Sequence, residues 1–83
     1  MKIYWHNGSK NIIGKRLREA RLKASPQITQ QDLSARLEVS GYNIDRVSIS
    51  KIESGDRFVA DYEIVGLATA LNVSVEWLLM GEK

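Results

Sequence analysis

The chain has 83 residues, with 12 Lys/Arg, 10 Asp/Glu, one His and no Cys, for a formal net charge of +2. That length allows one domain, near the lower limit for folding without disulfides or metals. The missing Cys removes disulfide frameworks, zinc-finger spacings and thiol chemistry, and fits a reducing compartment. The charge is unevenly spread: through Arg57 there are 11 Lys/Arg against 6 Asp/Glu, and from Phe58 onward 1 against 4. A protein that touches phosphates on one side carries such a bias.

Residues 1–10 show no sustained period, and Asn7-Gly8 is a turn signal, so they read as an N-terminal arm or a short strand from Ile3 to Trp5. Tyr4 and Trp5 in that arm dock on the core, seal a dimer, or belong to an appended tag. His6, alone and without a positioned partner, reads as a solvated side chain rather than a ligand or base. No apolar run approaches a membrane span and no signal-peptide core is present, so a soluble, cytoplasmic protein is expected.

Residues 11–83 read as one domain of five helices. The spacing of Ile13, Leu17, Ala20 and Ala24 predicts a first helix over about 12–24, capped by Asn11 or Ser9, with Lys15, Arg16, Arg18 and Lys23 on the outer faces. Ser25-Pro26-Gln27 ends it, because Pro26 disfavours a helical Ser25. Thr29 and Asp32 form a capping box and Ile28 with Leu33 a hydrophobic staple, so a second helix starts here, turns Leu33 and Leu37 inward and ends between Glu38 and Ser40.

A third helix follows over 46–54, capped by Asp45 and closed by Gly55, with Ile44 and Ile49 as a second staple. Ile49 and Ile52 make its apolar edge, while Arg46, Ser48, Ser50, Lys51 and Ser54 are short or cationic hydrogen-bonders. Small hydroxyls among cations permit close approach to a base-pair edge, although the segment taken alone reads equally well as an ordinary surface helix. Two helices joined by a short connection are the core of a helix-turn-helix. Asp61 caps a fourth helix to about Leu71, with Ile64, Leu67, Ala68 and Leu71 as its stripe and Asn72 as its stop. Ser74 caps a short fifth helix, in which Trp77 and Leu78 close the core before Gly81. The expected fold class is all-α, a compact five-helix bundle.

The segments TQQDLSARL, ISKIESGDR and LATALNVSVEWLL, in this order after a basic first helix, resemble the Cro and phage-repressor type of helix-turn-helix, the XRE family. The likeness spans about residues 12–81. It implies operator binding, usually as a two-fold dimer, and regulation of transcription. By that resemblance Arg46, Val47, Ser48 and Lys51, with Ser50 close by, would read bases. Arg or Lys can pair with guanine, Ser can donate or accept, and Val can meet a thymine methyl. Gln30 would hold a phosphate, as would groups from Ser54 to Arg57, and Arg21 with Glu53 would form a structural ion pair. The chain departs from the family in two places. Glu38–Ile44 holds an insertion of about five residues, either a longer second helix or a true loop, and Ser25-Pro26-Gln27 lengthens the first connection.

The expected function is a sequence-specific DNA-binding regulator, a repressor in the first instance and autoregulatory in one version of the reading. The alternative is an antitoxin or adaptor acting through a protein partner at Trp77, Leu79 and Met80 or at the Tyr4-Trp5 arm. A dimer surface on the fourth and fifth helices, at Leu79 and Met80, is expected from the resemblance. No cofactor or metal is expected, and an enzyme is disfavoured because no base stands near the hydroxyls of the third helix.

Overall fold

The computed structural model describes residues 8–81, which form five helices: α1 (Gly14–Lys23), α2 (Gln30–Val39), α3 (Arg46–Ser54), α4 (Asp61–Leu71) and α5 (Val75–Met80). The expected arm at Tyr4-Trp5 lies outside the described residues. Among the described residues no helix is long and apolar enough to cross a membrane.

One core joins all five helices, and its fully buried members include Leu17, Leu33, Ile49, Ile52, Leu67 and Leu78. Each helix contributes one stripe at helical spacing, which is why short segments of mixed composition assemble around it. Ile28 and Ile44, the residues that precede the caps of α2 and α3, are also buried. Both are thereby available as the outer half of a staple. Leu78 closes the base of the core, whereas Trp77 is only half-buried at its margin.

Local signals explain most helix ends. Thr29 Oγ1 accepts from the Asp32 amide at 2.9 Å and the Thr29 amide donates to Asp32 Oδ2 at 3.1 Å, completing the capping box. Ser74 Oγ accepts from the Trp77 amide at 2.9 Å, and Asn72, Gly55 and Gly81 take the left-handed conformation that ends α4, α3 and α5. α1 starts two residues later than its apolar stripe suggests, because Asn11 Oδ1 accepts from the Ile13 and Gly14 amides at 3.1 and 2.9 Å and holds the entry open. α4 is capped one residue earlier than expected, at Ala60, with Asp61 inside the first turn. Glu63 Oε1 accepts from the Ala60 amide at 3.0 Å, so Glu63 answers the orphan donor that would otherwise favour a cap at Asp61.

The insertion between α2 and α3 is a loop. α2 stops at Val39, Gly41 turns the chain at φ 90°, and the Tyr42 amide donates to Leu37 O at 2.9 Å. The Tyr42 ring then lies on α4 over Gly66, where a Cβ would come within 2.6 Å of the ring. The added residues therefore brace the connection against α4.

Two arginines on the outer faces tie helix ends together. Arg16 Nε and Nη2 donate to Leu78 O at 2.8 Å and Leu79 O at 2.7 Å, and Arg36 Nη1 donates to Ala70 O at 3.0 Å. Each cation sits on carbonyls left over at a helix C-terminus, where the helix dipole also favours it.

Candidate nucleic-acid interface

α3 is held at both ends and along one side, leaving one face open. Asp45 Oδ1 accepts from the Ser48 amide at 2.8 Å, and this hydrogen bond keeps the Asp45 carboxyl below the usual carboxylate range. Alongside, α1 crosses so near that a Cβ on Gly14 would collide with the Ile52 carbonyl. With Ile49 and Ile52 buried, a rotation of about 100° per residue puts Arg46, Val47, Ser50, Lys51 and Ser54 within an arc of roughly 140° on the opposite side. Ser48 falls about 60° outside that arc, toward the Ile52 side, and is half-buried. Val47 is 54% exposed, and the side chains of Arg46 and Lys51 make no hydrogen bond or ion pair among the described residues. Cationic and small side chains are thus unspent on the face that can approach a ligand.

Arg46 stands near the start of α2. It shares a shallow cleft with Gln30, Gln31 and Thr29, so the first turns of the two helices meet there. Gln30 is partly committed: its Nε2 donates to Glu53 Oε1 at 3.2 Å, leaving its second amide hydrogen and its carbonyl free of any partner among the described residues.

Glu53 anchors the inner side. Arg21 Nε donates to Glu53 Oε2 at 2.6 Å and Nη2 to Oε1 at 2.9 Å, with both side chains more than nine-tenths buried, at 8% and 6% exposure. Arg21 Nη1 also donates to Ile28 O at 3.1 Å and the Ile28 amide to Arg21 O at 3.0 Å. The same arginine therefore closes the lengthened α1–α2 connection and fastens it to α3.

Ser54 and Arg57, both expected at phosphates, are engaged inside the domain. Ser54 Oγ donates to Lys51 O at 3.1 Å. Arg57 donates through Nη1 and Nη2 to Glu63 at 3.0 and 3.1 Å and through Nη1 to Phe58 O at 3.1 Å. Glu63 holds the Arg57 guanidinium more firmly protonated, and in return Arg57, followed by the Ala60 amide, holds the Glu63 carboxyl below its ordinary range. Three of Arg57's five N–H donors are spent on Glu63 and on Phe58 O, which leaves its Nε–H and one Nη2–H for another partner.

Lys15 received no separate role from the sequence, where it reads as one of several solvated cations of α1. It lines a groove with Ser54 and Gly55 at the exit of α3 and has no partner among the described residues. Its spacing alone could not single it out, because α1 carries cations on several faces.

A helix-turn-helix family model matches residues 17–78, from Leu17 in α1 to Leu78 in α5. No curated protein sequence matches the chain. Among solved structures the chain is similar to the P22 c2 repressor protein, crystallised in complex with synthetic operator 9T in the presence of Tl+. The two share 26% sequence identity and superpose with a TM-score of 0.69 over 87% of this chain and 98% of that one. A structural match to that repressor over 87% of the chain, and a family match across well over half of the sequence, lead to one assignment: the chain belongs to the XRE-type helix-turn-helix family.

Proposed function

We propose that this DNA-binding protein is a sequence-specific transcriptional regulator that occupies an operator with α3 in the major groove, acting as a repressor. The observation that carries the reading is the open face of α3, where Arg46 and Lys51 are unpaired among the described residues, beside a similar protein solved on operator DNA. Arg46 and Lys51 suit guanine edges, Ser48 and Ser50 either donors or acceptors, and Val47 a thymine methyl. Gln30, with its uncommitted N–H, suits a phosphate at the first turn of α2, where the helix dipole adds attraction. Lys15 suits a phosphate beside Ser54. Arg57 joins them only through its Nε–H and its second Nη2–H.

A domain of this size reads few base pairs, so a homodimer on two half-sites about 34 Å apart is the working form. Met80, 66% exposed, and half-buried Leu79 make α5 the candidate contact between copies.

The test is fluorescence anisotropy with the duplex directly upstream of the protein's own reading frame, beside a scrambled duplex, across a salt series. Preference of ~10³-fold or more for the first at physiological salt is expected for an autoregulating operator binder. Equal and steeply salt-dependent binding to both would leave a basic face that reads no sequence in that duplex.

A further inference from the structure

One side chain closes the exit of α3. Asn11 Nδ2 donates to Ile52 O at 3.0 Å and to Arg57 O at 2.9 Å, while its Oδ1 accepts from the Ile13 and Gly14 amides. Both of its amide hydrogens and its carbonyl oxygen are thus in use. The two carbonyls it grips bracket Glu53–Asp56, the turn in which α3 ends and the chain swings toward α4. The neighbouring backbone joins in: the Lys10 amide donates to Gly55 O at 2.8 Å, and a Cβ on Gly55 would lie 2.5 Å from Ser9 Oγ. Residues 9–11 lie flush against this turn.

The grip on Arg57 O has a directional consequence. In a trans peptide the N–H points opposite to the C=O, so drawing the Arg57 carbonyl inward to Asn11 turns the Phe58 N–H away from the domain. That N–H makes no hydrogen bond among the described residues, and the Phe58 side chain is 47% exposed. The Lys10 ammonium lies 5.8 Å from the centre of the Phe58 ring, at the side chain of the same residue. An outward N–H with no partner among the described residues suits an anionic oxygen.

We propose that Asn11 is a positioning residue for DNA binding, clasping the turn after α3 so that the Phe58 N–H faces a DNA phosphate. The inference rests on the DNA-binding reading above and adds a residue that touches no nucleic acid itself. Asn11→Asp keeps an acceptor for the α1 amides but removes both donors and sets an anionic oxygen against two carbonyls. Asn11→Ser removes the double grip without adding charge, so it separates lost positioning from electrostatic repulsion.

The experiment measures anisotropy of a mixed-sequence duplex of about 20 base pairs over a salt series, well below each variant's Tm. Both variants are expected to bind about tenfold more weakly. For Asn11→Ser the salt slope should match the wild type, since no cation is removed. A purely structural residue would lower Tm and leave the affinity of the folded protein unchanged, and that result overturns the proposal. Amide hydrogen exchange in the wild type gives an arm independent of the variants: the Phe58 amide should become protected when duplex is added, and continued fast exchange on saturated DNA refutes the contact. Wild type that binds no duplex removes the DNA-binding reading itself, whereas binding with unprotected Phe58 removes only the role of Asn11.

Discussion

Arg21 Nε meets Glu53 Oε2 at 2.6 Å, and with both side chains more than nine-tenths buried neither charge has water to fall back on. Taking two such charges out of water is costly, so the intact pair adds little net stability, but removing one partner strands the other. Glu53→Ala is therefore expected to destabilise the fold by about 3–5 kcal/mol, a fall in Tm of more than roughly 12 °C for a domain of this size. Replacing both residues by apolar ones of similar volume should recover much of that loss. Thermal unfolding by circular dichroism decides it, and a single-variant shift within error would mean that the pair is not closed in solution.

The Tyr42 ring and Gly66 make a second coupled pair. A helix interior normally gains about 1 kcal/mol when Gly becomes Ala, yet here the new methyl would sit 2.6 Å from Tyr42 Cζ and force the ring off α4. Overpacking of this kind costs about 1–3 kcal/mol, which outweighs the helix gain. Gly66→Ala should thus be destabilising by about 1 kcal/mol in the wild type and stabilising by up to about the same amount in a Tyr42→Ala background. Denaturant titrations of the four proteins measure that change of sign. Additive effects would show that the insertion loop does not rest on α4.

The elements that could be read from the sequence are those written in neighbouring residues. Thr29 with Asp32, Asp45 before α3, and Gly55 after it act within a few positions, so local chemistry carries the helix-turn-helix boundaries and the open face of α3. The Arg21–Glu53 pairing came from the family resemblance, since 32 residues separate the two. Partners beyond both routes were not legible. Arg16 reaches Leu79 O across 63 residues, Asn11 reaches Arg57 O across 46, and nothing in the spacing of either announces its target. The same holds at Arg57, whose place after α3 suggests a free cation until α4 folds back and presents Glu63. The approach of Tyr42 to Gly66 is likewise a contact across 24 residues that no local spacing announces.

Acid should loosen the fold partly through Glu63. Its folded-state pKa is lowered, first by the hydrogen bonds from Arg57, so its contribution is fully present above the ordinary carboxylate range and is lost as pH falls through the lowered value. Asp32 and Asp45 are shifted in the same direction by backbone amides at their caps. Glu63→Gln is expected to melt below the wild type at neutral pH, with the gap narrowing as pH drops below about 4. Tm measured against pH for the two proteins tests this, and a constant gap would assign the loss to packing rather than to the charge.

Arg46 and Arg57 should separate sharply under the same substitution. Arg46 is exposed and unpaired among the described residues, so Arg46→Ala removes nothing from the fold. If it pairs with a guanine, the change weakens operator binding by about 1–3 kcal/mol and relaxes preference at one base pair, with Tm unchanged. Arg57 is bound to Glu63 through both terminal nitrogens, so Arg57→Ala strands a carboxylate that is only 12% exposed and should lower Tm. Its effect on the salt slope of DNA binding should be smaller than that of Lys15→Ala, which removes an uncommitted cation. Unfolding and anisotropy run on the three variants sort them. A large drop in salt slope for Arg57→Ala without loss of Tm would mean that Arg57 leaves Glu63 for a phosphate when DNA binds, and the phosphate surface would then extend from Ser54 to the start of α4.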